Sequence, residues 1–482
     1  MTILSAQYNT ATSFATPEVW SFLLQVFFIA LAILVGNVVR RKVPFMTRSL
    51  IPTALIGGLL ILIFKAIPVL DGFIDKRVME VVTYHALALG FIAMSLRSAN
   101  IANKSTTVKV VETGAITAST YIIQGITGLI VTVGLYLVWK NWGYGDGVFY
   151  AGGLLLPMGY GQGPGQALNF GTIYQGWADG QGIGFHGIDF GLSIAAIGFI
   201  VGSVIGVVYM NILNKKGKLR IKSLDKGQAH TLEDYESDNE LPHAESVDKM
   251  TIVVCFVLFT YFLVYLFMTF IGRQDMGDFG EKTIKPLVYG FNFFWGILFG
   301  SLVKVIIKGF RRFNWMHRDY LNNYILNRIS GFCFDIMIVA GTAAINFGNV
   351  RTFLLPLTIV CLSGAIVTFF YVRAVSKHIY PEYRYEGFFS MFGMLTGTAS
   401  NGMILLREID PKFETPAANN LVLQNIPAVA LGFPVLLLLG YAPQSLKATL
   451  ITLGILLLLY IIFVLYLFRK KFFHRFTNIE KN

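Results

Sequence analysis

Two short stretches decide how this chain reads: GYGQGPGQA, from Gly159 to Ala167, and TGTASNG, from Thr396 to Gly402. Each interrupts an apolar stretch, Gly147 to Trp177 in the first case and Gly387 to Glu408 in the second. The arms on either side are about ten residues long, roughly 15 Å of helix, which is half of a hydrocarbon core about 30 Å thick. Both stretches therefore predict re-entrant hairpins, with the first entering from outside and the second from inside. A non-helical tip at membrane depth persists only where protein or a water-filled cavity satisfies its polar groups.

Outward from the tips, apolar runs of spanning length recur. They predict helices over 19–39, 50–65, 78–96, 110–139 and 188–210, then over 250–271, 286–307, 324–347, 353–372 and 417–441, with one more over 446–468. The fold class this implies is an all-α polytopic membrane protein of eleven spans. The composition agrees: 14% of residues are charged and 55% hydrophobic, whereas an ordinary soluble domain carries about 25% charge. Too little charge remains to cover a soluble globule.

The net charge of +12 does not read as a nucleic-acid footprint, because the basic residues sit in short loops between apolar runs. Clusters at Arg40 to Arg48, Arg97 to Lys109, Lys215 to Lys222, Lys304 to Arg328, Arg373 to Arg384 and Arg469 to Lys481 fall on one side if the chain starts outside and ends inside. That asymmetry predicts the orientation. Residues 19–210 and 250–441 then each hold five spans with a hairpin (147–177 and 387–408) before the fifth, and the odd count inverts one half relative to the other. A cytoplasmic linker, 211–249, joins the halves, and 442–482 adds a further span with a basic tail. Inverted halves with matched broken segments are the pattern of a secondary transporter with its site near the midplane. A passive channel would need one continuous polar path, which hairpins from opposite sides argue against.

The tips supply the chemistry. Exposed carbonyls can hold a cation, and half-helix N-termini can hold a carboxylate. We expect Gly161, Gln162, Gly163, Gly165 and Gln166 in the first tip, with Thr398, Ser400 and Asn401 in the second, to contact substrate. Backbone or side-chain oxygens of Gly159, Gly163, Thr396, Ser400 and Asn401 are expected to hold Na⁺. Asn425, in the amide cluster Asn419, Asn420, Gln424 and Asn425, and Asp335, in the middle of its span, are further cation ligands on this reading. Asp335 has two alternatives, a partner for a substrate ammonium or a carboxylate hydrogen-bonded within the fold. His85 reads as a satisfied core histidine. Arg407 has a fork suited to a carboxylate, or else it reaches the membrane interface beside Glu408 and Asp410.

Other signals are weaker. GIGFHG, from Gly182 to Gly187, matches a dinucleotide fingerprint but lacks the strand that the chemistry needs. Cys255, Cys333 and Cys361 have no pairing or metal spacing. No Walker sequence or catalytic constellation appears, so an enzyme is not expected.

IPTALIGGLL (Ile51 to Leu60), ANIA (Ala99 to Ala102) and GYGQGPGQA, together with the ten-helix, two-hairpin plan, resemble the bacterial sodium/glutamate symporter family over about Val19 to Tyr441. The resemblance implies Na⁺-coupled symport of an acidic amino acid, L-glutamate or a close relative, with a di- or tricarboxylate as the alternative. It also implies a homodimer in the bacterial cytoplasmic (inner) membrane, moving by an elevator-like mechanism, with lipid and a small anion as its partners and no nucleic acid. The sequence departs from that family at Tyr160, where a histidine is usual, in its second tip, and in the helix after Tyr441.

Overall fold

The computed structural model describes residues 17–67, 73–97, 104–142, 148–219, 245–277, 280–313, 320–411 and 414–479. Among them there are helices and turns and no strand. The first group of helices is α1 (Pro17–Lys42), the short α2 (Pro44–Ser49), α3 (Thr53–Lys65), α4 (Lys76–Leu96) and α5 (Lys104–Trp142), followed by α6 (Pro164–Gly180) and α7 (Gly187–Lys215). The second is α8 (Glu245–Gly272), the short α9 (Lys285–Gly290), α10 (Asn292–Arg312), α11 (Asn323–Ala343), the short α12 (Phe347–Thr352) and α13 (Leu354–Ile379). After these come α14 (Arg384–Leu395), α15 (Ala399–Ile409), the short α16 (Ala417–Leu423), α17 (Asn425–Tyr441) and α18 (Leu446–Ile479). The middle of the expected linker, the motif Ala99 to Ala102 and the chain before Pro17 lie outside the described residues.

Ten of the described helices are long and apolar enough to cross a membrane. The span expected over 50–65 is the exception. Leu50 adopts a left-handed conformation (φ 55°), Pro52 caps the next helix, and α3 keeps only 13 residues, about 20 Å, short of the core thickness. In the opposite direction, α5 runs for 39 residues, about 58 Å, well beyond the stretch its hydropathy marks.

Local chemistry sets the ends. Asp75 caps α4 by accepting from the backbone N–H groups of Arg77 (2.7 Å) and Val78 (3.3 Å), and Asn322 caps α11 in the same way. Arg40, Arg41 and Lys42 in the last turn of α1 complement its negative end.

The helices pack in two groups. One gathers α1, α3, α4, α8, α10 and α11, with α3 between α1 and α11. The IGG of the second apolar run makes that possible: a side chain on Gly57 would collide with the Ala32 backbone, and one on Gly58 with Thr342. The other group surrounds α5 with α13, α17 and α18. The helices flanking the two broken segments lie between the groups, α6 against α7, α4 and α11, and α14 against α15 and α7.

Two buried ionic clusters fasten distant elements. Asp189, 1% exposed in the first turn of α7, accepts from Lys76 Nζ (3.0 and 3.1 Å), the Asn346 N–H (2.9 Å) and Asn349 Nδ2 (2.6 Å). Glu112, 1% exposed on α5, accepts from Arg469 Nη2 of α18 at 2.8 Å and pairs with Lys109 at 3.3 Å. Lys109 in turn donates to the Ile379 carbonyl at the end of α13 (2.5 Å).

Candidate functional site

The first tip is built from two kinds of turn. A 3₁₀ turn (Tyr150–Leu154) and a π turn (Pro157–Gly161) lead to Gln162 and Gly163, and Pro164 opens α6. Gly163 has φ +81° and ψ −173°, a conformation that only glycine adopts without strain. Pro164 at the first helical position loses no hydrogen bond, since that N–H would be unpaired in any case. The Gly163 N–H donates to the Gly159 carbonyl (3.2 Å), and the Tyr121 hydroxyl of α5 donates to that of Gly161 (3.0 Å).

The second tip is shorter. α14 ends at Leu395, Thr396 to Thr398 form the turn, and α15 starts at Ala399. Thr398 is extended (φ −141°, ψ 169°) in the capping position, yet its side chain makes no capping bond. Gln124, fully buried on α5, donates to the Leu395 carbonyl and to Thr368 of α13, both at 2.9 Å, which holds the end of α14 to both helices.

The two tips meet. A Cβ built on Gly163 would lie 3.2 Å from Thr398 Cγ2 and 3.6 Å from the Gly397 carbonyl. Beside this contact is a cavity of about 90 Å³, lined by Gly161 and Gln162 from one tip and by Gly397, Thr398 and Ala399 from the other. Thr117 and Tyr121 of α5, Asn425 of α17, and an apolar wall including Phe91, Met94, Phe334, Met337, Met394 and Leu436 complete it. Polar atoms in this region remain unpaired among the described residues: both amide atoms of the fully buried Gln166, Oγ1 of Thr398 and Oε1 of Gln124. Buried polar groups are nearly always hydrogen-bonded, so such atoms mark places where water, an ion or a ligand belongs.

The sequence-predicted residues divide accordingly. Gly161, Gln162, Thr398 and Asn425 line the cavity, and Gly163 forms the contact between the tips. Gly165 packs against Leu87 and Met337, and Ser400 is half-buried one residue beyond the lining. Thr396 and Asn401 are fully buried and engaged within the fold. The Thr396 hydroxyl donates to the Phe392 carbonyl (2.7 Å), while Asn401 accepts from Ser203 (3.2 Å) and donates to the Gly393 carbonyl (3.4 Å). The Gly159 carbonyl is likewise taken, by the Gly163 N–H.

Three residues are not brought to the cavity. Arg407 is exposed in the last turn of α15, about 12 Å along the axis from Ala399, where its charge and that of Glu408 act on Arg40. Asp335 is exposed on α11, two residues from the cavity-lining Met337 and so on nearly the opposite face. His85 pairs with the Tyr261 hydroxyl (2.6 Å) and belongs to a second, wider cavity of about 920 Å³ that also takes in Arg77, Glu80, Tyr84 and Trp177. Polar ties run along the wall of this second cavity: Asn169 donates to the Gly290 carbonyl (2.8 Å), Asn292 to that of Tyr84 (3.1 Å), and the Tyr84 hydroxyl to that of Tyr289 (2.8 Å). Tyr160, where the resembling family differs, is fully buried and donates to the Cys361 carbonyl (2.8 Å).

Sequence reasoning missed Thr117, Tyr121 and Gln124. Thr117 and Tyr121 sit in a hydroxyl-rich stretch, Thr117 to Tyr121, and Gln124 three residues on is an amide inside an apolar helix, a signal of the same kind as the amide cluster around Asn425. Comparison with protein-family models and with curated proteins finds no match to this chain.

Proposed function

We propose that this membrane protein is a secondary active transporter that couples Na⁺ to the movement of a small carboxylate, with the paired tips as its binding site. The observation that carries this reading is the meeting of two non-helical breaks, each opening a helix N-terminus, at one small cavity inside a bundle of apolar helices. Broken helices at matched places in the two halves are how such transporters form sites at mid-depth. The order of elements, which runs alike before and after 220–244, supports the reading of two halves. The separate packing of the α5 group and the α1/α4/α11 group supports an elevator-like division into two moving parts. Acidic amino acids and di- or tricarboxylates are the solutes that the sequence resemblance suggests.

Sodium coupling is electrogenic when more positive than negative charge crosses, and each net charge gains about 2.3 kcal/mol per 100 mV. The purified chain in proteoliposomes is expected to accumulate labelled carboxylate under an inward Na⁺ gradient, and more so with an inside-negative potential. Equal uptake with K⁺ replacing Na⁺ would overturn the coupling.

A further inference from the structure

Among the described residues, no Asp, Glu, Lys, Arg or His lines the tip cavity. Several of its polar groups are already engaged within the fold. Tyr121 donates to the Gly161 carbonyl, Thr117 to Gln424 (2.8 Å) and Asn425 to the Val422 carbonyl (3.3 Å). What remains in the lining is gathered at the tips: Gln162, Thr398 with a hydroxyl unpaired among the described residues, and the uncapped first turn of α15. Gln166, in the first turn of α6 and outside the lining, is fully buried with neither amide atom paired among the described residues. The opposite wall is Met and Phe.

A helix N-terminus is equivalent to roughly half a positive charge, so two of them suit one carboxylate. A second carboxylate, or an ammonium, would stand against Phe334 and Met394 with no oppositely charged side chain among the described lining residues, and buried charge is tolerated only when paired. Size points the same way. A cavity of about 150 Å³ holds benzene, and this one is about 90 Å³ in the present conformation, which favours the smallest acids over glutamate or citrate.

We propose, on the reading of the tips as the transport site, that the substrate is a short-chain monocarboxylate. Its carboxylate lies at the Thr398 and α15 end, and its aliphatic body lies against the Met and Phe wall. Charge and volume both disfavour the acidic amino acids and the di- and tricarboxylates that the sequence resemblance suggests.

Counterflow of labelled propionate into proteoliposomes of the full chain, in Na⁺, tests this against unlabelled butyrate, pyruvate, glutamate, malate and citrate. Propionate uptake is expected to be blocked by butyrate or pyruvate and untouched by an excess of about 100-fold of glutamate or citrate. Carriage of glutamate or citrate without propionate would overturn the monocarboxylate assignment and leave the tips as the site. Propionate uptake that survives in Gly163→Val would instead overturn the tips, and no uptake of any acid would overturn both. Leu436→Ala enlarges the apolar end and should improve hexanoate relative to propionate by roughly tenfold, about 1.4 kcal/mol. If that variant fails to reach the membrane, Val429→Ala on the same wall serves in its place. An unchanged ratio would overturn the assigned orientation.

Discussion

At Gly163 a single hydrogen atom separates two hairpin tips. A valine there must adopt φ +81° with a branched side chain, which is a backbone outlier, and must also push on Thr398. Gly163→Val is expected to abolish uptake while circular dichroism and size-exclusion profiles stay those of a folded protein; wild-type uptake would remove the tip contact from the mechanism. Thr398 and Asn401 should behave differently from each other, although both belong to the second tip. The Thr398 hydroxyl has no partner among the described residues, so Thr398→Val should leave thermal unfolding nearly unchanged and weaken the apparent affinity for Na⁺ or solute about 5- to 150-fold, the equivalent of 1–3 kcal/mol. Asn401 ties Ser203 of α7 to Gly393 of α14. Asn401→Ala should therefore lower stability by about 1–3 kcal/mol, read as a fall in the melting temperature in detergent, with its effect on affinity secondary to that loss.

The broken segments work as elements because their arms can come close. On the second, a side chain at Gly402 would collide with the Ser390 carbonyl across the hairpin. Gly402→Val should splay α14 from α15, and the measurement is accessibility of a cysteine placed at Ala399, which should label faster than in the parent chain. The breaks themselves were legible in the sequence, because glycine, proline and short polar residues inside an apolar run have few other uses. So were the apolar helices and the place of Asn425. What could not be read was the azimuth of isolated polar residues. Asp335 and Met337 stand two residues apart on α11, yet one faces outward and the other lines the cavity, and hydropathy does not say which. Arg407 follows the tip closely in sequence but is carried about 12 Å from it by the intervening helix. The part played by α5 was hidden for a related reason: Thr117, Tyr121 and Gln124 recur with helical spacing, but their partners Gln424, Gly161 and Leu395 lie far along the chain, and only the folded arrangement pairs them.

For the molecule as a whole, two buried carboxylates join parts that the chain keeps apart. Asp189 holds the starts of α4 and α7 to the segment before α13 with four donated hydrogen bonds. Asp189→Ala leaves Lys76 with Glu80, 4.0 Å away, as its remaining counter-ion and strands the Asn346 N–H and the Asn349 amide. It should cost about 1–3 kcal/mol, measured as a lower unfolding temperature, and a loss within experimental error would show that the cluster does not hold these elements together. Glu112 has a different consequence, one of timing. Its partner Arg469 lies 357 residues further along, and at a synthesis rate of about 5–20 residues per second the two are separated by roughly 20–70 s. During that interval the carboxylate has Lys109 beside it and no guanidinium, so Glu112 waits with one of its two cationic partners. Arrival of α18 thus reports that translation has reached Arg469, and a ribosome that stops short leaves behind a chain with a recognisable flaw for membrane proteases. Arg469→Ala should mimic that arrested product, with a faster decay than the wild type in a pulse-chase.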